Sequence, residues 1–287
     1  MKVLVTGVKG QLGFDVVNEL KSRGHEAVGV DIADMDITDS DSVTAVLQSV
    51  KPEAVIHCAA WTAVDAAEDN EQKVRLVNAC GTEYIARECK KLGCKLMYIS
   101  TDYVFDGQGT APWTPDCKDY KPLNVYGKTK LEGELAVSSI VEKYFIVRIA
   151  WVFGKNGNNF IKTMLRLSES HDNLRVVSDQ IGTPTYTFDL ARLLVDMIET
   201  EKYGYYHATN EGGYISWADF AKEIFRQANR KVTVTPVTTA EYGLSKAVRP
   251  FNSRLDKSKL ITNGFEPLPT WQDALQRYLE VLENGAD

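Results

Sequence analysis

The chain has 287 residues, of which 44% are hydrophobic and 25% are charged, values typical of globular chains that are neither disordered, collagen-like nor disulfide-dense. No apolar run is long enough to cross a membrane. The 33 Lys and Arg residues against 39 Asp and Glu residues give a net charge of -6, which argues against a protein that coats nucleic acid or an anionic membrane.

The cysteine pattern and the first residues bear on the cellular compartment. Five cysteines, without any C-x-x-C pair, indicate neither a disulfide framework nor a structural zinc site. The hydrophobic stretch after Met1 is too short for a secretory signal peptide. We therefore predict a cytoplasmic protein with reduced thiols and no nucleic-acid or membrane partner, acting as a monomer or homodimer.

Short β-branched runs alternate with longer helical patterns in the first half of the chain. This alternation is typical of a parallel sheet covered by helices through right-handed crossovers. The fold class is predicted to be α/β, a Rossmann-type doubly wound parallel sheet. The predicted strands cover 3–5, 27–30, 54–57, 95–100 and 145–149, and the predicted helices cover 11–23, 40–50, 74–92 and 125–137.

The pattern loosens after about Ile149. Glycines separate shorter elements there, around helices predicted at 217–229 and 271–283. We expect a dinucleotide-binding domain over 1–150 and a smaller, partly interleaved substrate-binding domain over 151–287. A segment near 185–200 is expected to return to the first domain.

A glycine-rich turn follows the first predicted strand. Gly7, Gly10 and Gly13 form a G-x-x-G-x-x-G pattern that also contains Gln11 and Leu12. Small residues between a strand and a helix let backbone amides and the helix N-terminus approach a pyrophosphate. The spacing differs from the G-x-G-x-x-G fingerprint, but its placement predicts a dinucleotide-binding turn.

An acidic residue ends the second predicted strand. Asp31 lies 18 residues after Gly13, where a carboxylate accepts hydrogen bonds from an adenosine ribose. Its charge would repel a 2′-phosphate and so favours NADH. Lys9 lies in the glycine turn and can offset that charge, so both NADH and NADPH remain open as cofactors.

Tyr126 and Lys130 are spaced i, i+4 on a predicted helix, which places them on one face. Tyr242 and Lys246 share the spacing, so context has to separate the two pairs. Only the first pair follows a predicted sheet strand, whose carboxyl end carries Thr101. A cation beside a tyrosine stabilises the phenolate, so Tyr126 is the predicted proton donor, with Lys130 supplying the charge and Thr101 holding the substrate oxygen.

These motifs resemble those of the extended short-chain dehydrogenase/reductase family. The resemblance covers nearly the whole chain and includes the motifs at 7–13, 36–37, 57–60, 78–82 and 126–130. Within that family, the longer strings at 100–107, 122–130 and 252–255 are similar to those of the dTDP-4-dehydrorhamnose reductase family.

The resemblance implies reduction of the C4 ketone of a dTDP-sugar, dTDP-4-dehydro-L-rhamnose, to dTDP-L-rhamnose, a precursor of surface polysaccharide. It implies NADPH or NADH as cofactor; Mg²⁺ is suggested by the family alone, since no carboxylate cluster supports a metal site. The cofactor contacts that it implies are Gly10, Gln11, Leu12, Asp31, Asp36, Ile37, Ala60, Trp61, Thr62, Tyr126 and Lys130. The substrate contacts that it implies are Thr101, Asp102 and Trp151, with Asn159, Arg249 and Arg254 as candidates for the nucleotide diphosphate.

Two other functions remain open from the sequence. A nucleotide-sugar dehydratase or epimerase shares the cofactor turn, but related dehydratases place Asp-Glu after the threonine, whereas Asp102-Tyr103 follows Thr101 here. A non-catalytic regulatory subunit, like the one that associates with methionine adenosyltransferase, has the same fold. Retention of Thr101, Tyr126 and Lys130 together argues against that second alternative.

Overall fold

The structure is a computed structural model that describes residues 1–285. Its strands are β1 (Lys2–Thr6), β2 (Glu26–Val30), β3 (Ala54–His57), β4 (Lys95–Thr101), β5 (Tyr144–Ile149), β6 (Val152–Phe153), β7 (Asn173–Val177), β8 (Ile181–Gly182), β9 (Thr185–Tyr186), β10 (Gly204–His207), β11 (Ile215–Ser216) and β12 (Thr233–Val237). Its helices are α1 (Gln11–Ser22), α2 (Ser40–Val50), α3 (Val64–Ala67), α4 (Glu71–Arg75), α5 (Gly81–Leu92), α6 (Val125–Ile140), α7 (Phe160–Leu167), α8 (Thr187–Ile198), α9 (Trp217–Gln227), α10 (Thr239–Tyr242), α11 (Ser258–Thr262) and α12 (Trp271–Asn284).

Six parallel strands form the central sheet, in the order β2-β1-β3-β4-β5-β10. Strands that are buried on both faces read as continuous hydrophobic runs, and β3 is buried along its whole length. The strand order reverses between β1 and β3, which is where doubly wound sheets open a crevice for ligands. The predicted α/β doubly wound parallel sheet is confirmed.

Helices cover both faces of this sheet. On one face, Val16 and Leu20 of α1 and Leu194 of α8 pack over β1. On the other, the helices α2, α5 and α6 contribute apolar side chains that include Leu47 and Ile85. None of the helices within residues 1–285 combines the length and the apolar character that a membrane span requires.

A second apolar cluster lies outside the sheet and joins α7, α9 and α12. Its aromatic members include Phe153, Phe220, Trp271 and Tyr278, and the pair β7 and β12 packs beside it. Two later segments lie with the first half of the chain, because α8 packs on α1 and β10 extends the sheet beyond β5.

Several elements differ from the sequence prediction, including one helix and one strand of the central sheet. The helix predicted at 74–92 is divided into α4, a π-helical turn at Leu76–Cys80, and α5. The π-helical turn carries Asn78, whose buried side chain reaches a neighbouring loop. The strand β10 was not predicted, because a four-residue, aromatic-rich segment at the sheet edge carries no clear alternation of polar and apolar residues.

A fully buried ion pair joins α6 to β5. The Nε and Nη2 atoms of Arg148 donate to the two carboxylate oxygens of Glu134 at 2.9 and 2.7 Å, and both side chains are 0% exposed. Arg148 also donates to the carbonyl of Pro115 and the hydroxyl of Tyr120. Nearly every polar group of the guanidinium is therefore partnered, as a buried charge requires.

Replacing Glu134 with Gln is expected to lower the free energy of unfolding by about 3 to 5 kcal/mol, because it leaves a buried guanidinium without its counter-charge. Urea denaturation measures this loss. Glu83→Gln is the matched control, since its i,i+4 pair with Arg87 is solvent-exposed, and we expect a change within about 0.5 kcal/mol. Equal losses in both variants would contradict this account of the core.

Candidate functional site

The glycine turn between β1 and α1 packs too closely against neighbouring backbone to admit larger residues. Gly7 has φ +70°, and a Cβ placed on it would lie 2.8 Å from the Ala59 nitrogen. A Cβ on Gly13 would collide with the Gly7 carbonyl oxygen. Gly10 is the N-cap of α1, and no side chain caps the first-turn amides. These free donors at a helix N-terminus fit a pyrophosphate.

A cavity of about 150 Å³ opens beside this turn, at the ends of β1, β2 and β3. It therefore lies at the point where the strand order reverses, the usual place for a dinucleotide. Five of the predicted cofactor contacts line it: Gly7, Asp31, Asp36, Ile37 and Ala60.

Two carboxylates beside this cavity are fixed by neighbouring backbone. Asp31 accepts from the Lys9 amide at 3.0 Å and from the Ile32 amide at 2.9 Å, which ties the glycine turn to the end of β2. Asp36 accepts from the Thr38 amide and hydroxyl through one oxygen, Oδ1. Both acidic side chains are therefore held in place before any ligand arrives.

Asn78 holds the segment of predicted cofactor contacts that follows β3. Its Oδ1 accepts from the Trp61 amide at 2.8 Å, and its Nδ2 donates to the Trp61 carbonyl at 3.2 Å. The Trp61 indole donates to the Ala63 carbonyl, and Thr62 is exposed. No role was predicted for Asn78 itself, because its partners are distant in sequence.

A buried chain of hydrogen bonds lies beneath the turn. The Thr6 hydroxyl oxygen accepts from the amides of Cys58 and Ala59, so its proton is directed to Nδ1 of His57 at 2.7 Å. The Nε2 of His57 then donates to Thr82 at 3.1 Å. Burial lowers the pKa of His57 to about 3, so the ring is neutral and supports the ends of β1 and β3.

The three predicted catalytic residues meet where β4 ends and α6 begins. Thr101 is the last residue of β4, and its hydroxyl lies within hydrogen-bonding reach of the Tyr126 phenol. Burial raises the pKa of Tyr126, and the hydrogen bond with Thr101 opposes that effect. The ring of Tyr103 packs edge-on against the Tyr126 ring, with centroids 5.6 Å apart. The phenol is therefore protonated and fixed in position.

Lys130 is buried beside the same strand. Its Nζ donates to the Ile99 carbonyl at 2.7 Å and lies 4.0 Å from the centre of the Tyr98 ring. Burial lowers the pKa of Lys130 to about 7. Burial and the charge of Asp102 raise the pKa of Tyr126, and the stabilisation of a Tyr126 phenolate by this ammonium stays a prediction.

Asp102 places an unpartnered carboxylate oxygen at the reactive centre. The side chain is 2% exposed, and the Thr101 hydroxyl donates to its Oδ1 at 3.0 Å. Burial raises the pKa of Asp102 to about 6, opposed by hydrogen bonds from Ser253 and Thr101. Its Oδ2 has no hydrogen-bond partner within residues 1–285. That oxygen is available to accept from a ligand hydroxyl.

Two of the three predicted diphosphate contacts are committed to the protein. Asn159 caps α7 through Oδ1, while its Nδ2 lies within hydrogen-bonding distance of Gln11 Oε1, the Gly154 carbonyl and the Tyr278 hydroxyl, and donates to two of them. Asn159 therefore joins α7 to the start of α1, and its contact with a diphosphate stays a prediction.

Arg249 is likewise engaged, with both carboxylate oxygens of Asp65 at 3.0 and 2.7 Å. This ion pair fastens the C-terminal half to α3, and the role of Arg249 as a diphosphate contact stays a prediction. Arg254 differs, because it is half-buried, donates to the Asn252 side chain and has no carboxylate partner within the described residues. Its charge remains available for an anion.

Trp151 lies two residues after the end of β5. It packs against the apolar cluster that contains Val104 and Leu255. Val104 of this cluster follows Asp102 by two residues in the chain. For metals, no group of three or more His, Cys, Asp or Glu residues that could bind an ion occurs in the described part of the chain.

The geometry can be set beside known proteins. The family model described as the RmlD substrate binding domain matches residues 1–284. A dTDP-4-dehydrorhamnose reductase of Aggregatibacter actinomycetemcomitans is 41% identical, with 98% of this chain and 99% of that protein covered.

Two solved structures share the fold closely. A dTDP-4-dehydrorhamnose reductase from Clostridium acetobutylicum has a TM-score of 0.95 and 43% identity, over 99% of this chain and 100% of that one. Another, from Bacillus anthracis in complex with NADP, has a TM-score of 0.93 and 42% identity, over 97% and 99% of the two chains. The chain therefore belongs to the RmlD substrate binding domain family and is similar along its whole length to dTDP-4-dehydrorhamnose reductases.

Proposed function

We propose that the protein is an NAD(P)H-dependent reductase that converts the C4 ketone of dTDP-4-dehydro-L-rhamnose into dTDP-L-rhamnose. The observation that carries this proposal is the protonated Tyr126 phenol beside Thr101, at the sheet edge that also holds the dinucleotide-type turn. The reductases reported above support the choice of substrate, and the NADP complex of the relative from Bacillus anthracis supports the choice of cofactor.

The turn and the cavity beside it account for cofactor binding. We assign the pyrophosphate to the first-turn amides of α1. The adenosine ribose is assigned to Asp31, which lines the cavity. When bound, the reduced nicotinamide supplies a hydride to the carbonyl carbon of the sugar. The protein's contribution is to hold both molecules at reacting distance.

Proton transfer falls to Tyr126. Its hydroxyl hydrogen passes to the carbonyl oxygen as the C4–H bond forms, leaving a phenolate, and the Thr101 hydroxyl turns from Asp102 to the same oxygen when the sugar binds. Because burial opposes formation of the phenolate, a positive charge must offset it. We assign this charge to Lys130, which is buried one helical turn away on the same helix face.

The residue after Asp102 favours reduction over dehydration. Elimination of water needs an additional base beside the sugar, and Tyr103 occupies the place where dehydratases carry a glutamate. Burial raises the pKa of Tyr103, so its phenol stays protonated. It therefore cannot replace a carboxylate base.

The substrate is assigned to the space between the two halves of the chain. The free Oδ2 of Asp102 accepts from a sugar hydroxyl, Trp151 packs beside the sugar, and Arg254 offers a charge to the diphosphate. Each of these groups lies close to the end of β4 or on a segment that contacts it.

Replacing Tyr126 with Phe is expected to lower kcat by roughly 10² to 10⁴ with little change in KM, because the variant keeps the ring but loses the proton donor. The assay follows the absorbance of NADPH with dTDP-4-dehydro-L-rhamnose. Tyr242→Phe is the matched control, since Tyr242 and Lys246 have the same spacing on an exposed segment. Unchanged kcat in Tyr126→Phe would eliminate the assigned role.

The pH profile tests Lys130. Because burial lowers its pKa to about 7, the amine is charged below that pH and neutral above it. We expect kcat/KM, which reports the free enzyme, to fall on the alkaline side with an apparent pKa of about 7. Lys130→Arg, whose side chain stays charged, should move this limb to higher pH. A limb at the same pH in both enzymes would rule out Lys130 as its source.

Asp31 is expected to disfavour a 2′-phosphate. Asp31→Asn keeps an acceptor for the Lys9 amide but removes the charge, so the affinity for NADPH relative to NADH should rise about tenfold. Titration with each cofactor measures the ratio. Asp41→Asn, an exposed change outside the cavity lining, should leave the ratio unaltered. No change in Asp31→Asn would place the adenosine ribose elsewhere.

A further inference from the structure

Trp151 has an unusual backbone. Its φ is +50°, in the left-handed region that bulky residues rarely adopt. Such a conformation persists only where the surrounding structure over-determines it, and it is often found at ligand sites. The residues that hold the Trp151 indole in this conformation therefore also fix its position beside the substrate.

Trp217 covers one face of the Trp151 indole. The two ring centroids lie 3.7 Å apart with an interplanar angle of 14°, a stacked arrangement. Phe160 packs against Trp217, with centroids 4.7 Å apart. Trp217 is itself rigidly placed as the first residue of α9, directly after Ser216, which forms a capping box with Asp219.

Gly182 makes room for the edge of the same indole. A Cβ on Gly182 would lie 2.9 Å from Cε2 and 3.0 Å from Nε1 of Trp151, and 3.1 Å from Cβ of Ser253. Any larger residue would displace the ring. Ser253 in turn opposes the rise in the pKa of Asp102, so its side chain lies between the indole and the reactive centre.

We propose that Trp217 is a positioning residue that, together with the slot at Gly182, clamps Trp151 against the nucleotide-sugar site. This proposal rests on the proposed function for the identity of the ligand. Trp217 acts through the indole of Trp151, because it stacks on that ring. Trp151 itself is half-buried, so part of its side chain stays open to a ligand.

The test compares Trp217→Leu, Trp217→Phe and Trp271→Phe. We expect Trp217→Leu to raise KM for the dTDP-sugar about tenfold or more, while KM for NADPH stays within about twofold. Trp217→Phe should recover most of the affinity, because it restores a stacking ring. Trp271→Phe is the control for lost stability, since Trp271 is buried in the same apolar cluster but does not stack on Trp151. It should lower Tm without changing KM for the sugar.

Near-ultraviolet circular dichroism provides a readout that needs no ligand. A stacked indole pair gives a coupled signal, which Trp217→Leu should abolish and Trp271→Phe should retain. Gly182→Ala should alter the same signal and raise KM for the sugar. An unchanged sugar KM in Trp217→Leu, or an equal rise in Trp271→Phe, would overturn the proposal. If the wild-type enzyme oxidises no NADPH with the sugar, the proposed function fails, and the dichroism alone decides whether the clamp exists.

Discussion

The contact between Tyr126 and Thr101 sets the position of the reactive centre, and it depends on how closely α6 approaches the end of β4. Gly127 allows this approach, because a Cβ there would collide with the Tyr103 carbonyl. Asn124 caps α6 by accepting from the Gly127 amide at 2.8 Å, and its Nδ2 donates to the Val248 carbonyl. The first turn of the helix is therefore fastened on two sides, and the phenol is placed without any ligand.

The second half of the chain completes the site at several points. The Asn159 amide reaches Gln11 at the start of α1, and Arg249 forms its ion pair with Asp65 of α3. These contacts fix the second half of the chain against the first, and each joins residues more than a hundred positions apart.

The sequence predicted the sheet, the turn and the position of Tyr126 well, because each depends on local pattern: β-branched strands, a glycine spacing and a helix that follows a strand. It did not predict which groups are already engaged. The Asn159 amide contacts Gln11, and the Arg249 guanidinium pairs with Asp65. These partners are distant in sequence, so the spacing of residues along the chain does not predict them. The same applies to Asn78, whose contact with Trp61 needs the π-helical turn.

The effect of Lys130 on the pKa of Tyr126 could not be predicted from the sequence either. A lysine four residues after a tyrosine predicts a direct charge effect on the phenol, whereas Lys130 donates to the Ile99 carbonyl and burial governs the pKa of Tyr126. The missing information is burial, which depends on the whole fold. A pattern of two residues on one helix face establishes proximity, but it does not establish which partner each side chain chooses.

Transfer of deuterium tests the central claim most directly. The purified protein is supplied with dTDP-4-dehydro-L-rhamnose and NADPH carrying deuterium at the transferable position, and the product is examined by NMR and mass spectrometry. The account predicts a single deuterium bound to C4 of dTDP-L-rhamnose, with one reduced cofactor consumed for each sugar. Product without label at C4, or cofactor that remains reduced while the sugar is altered, would contradict it.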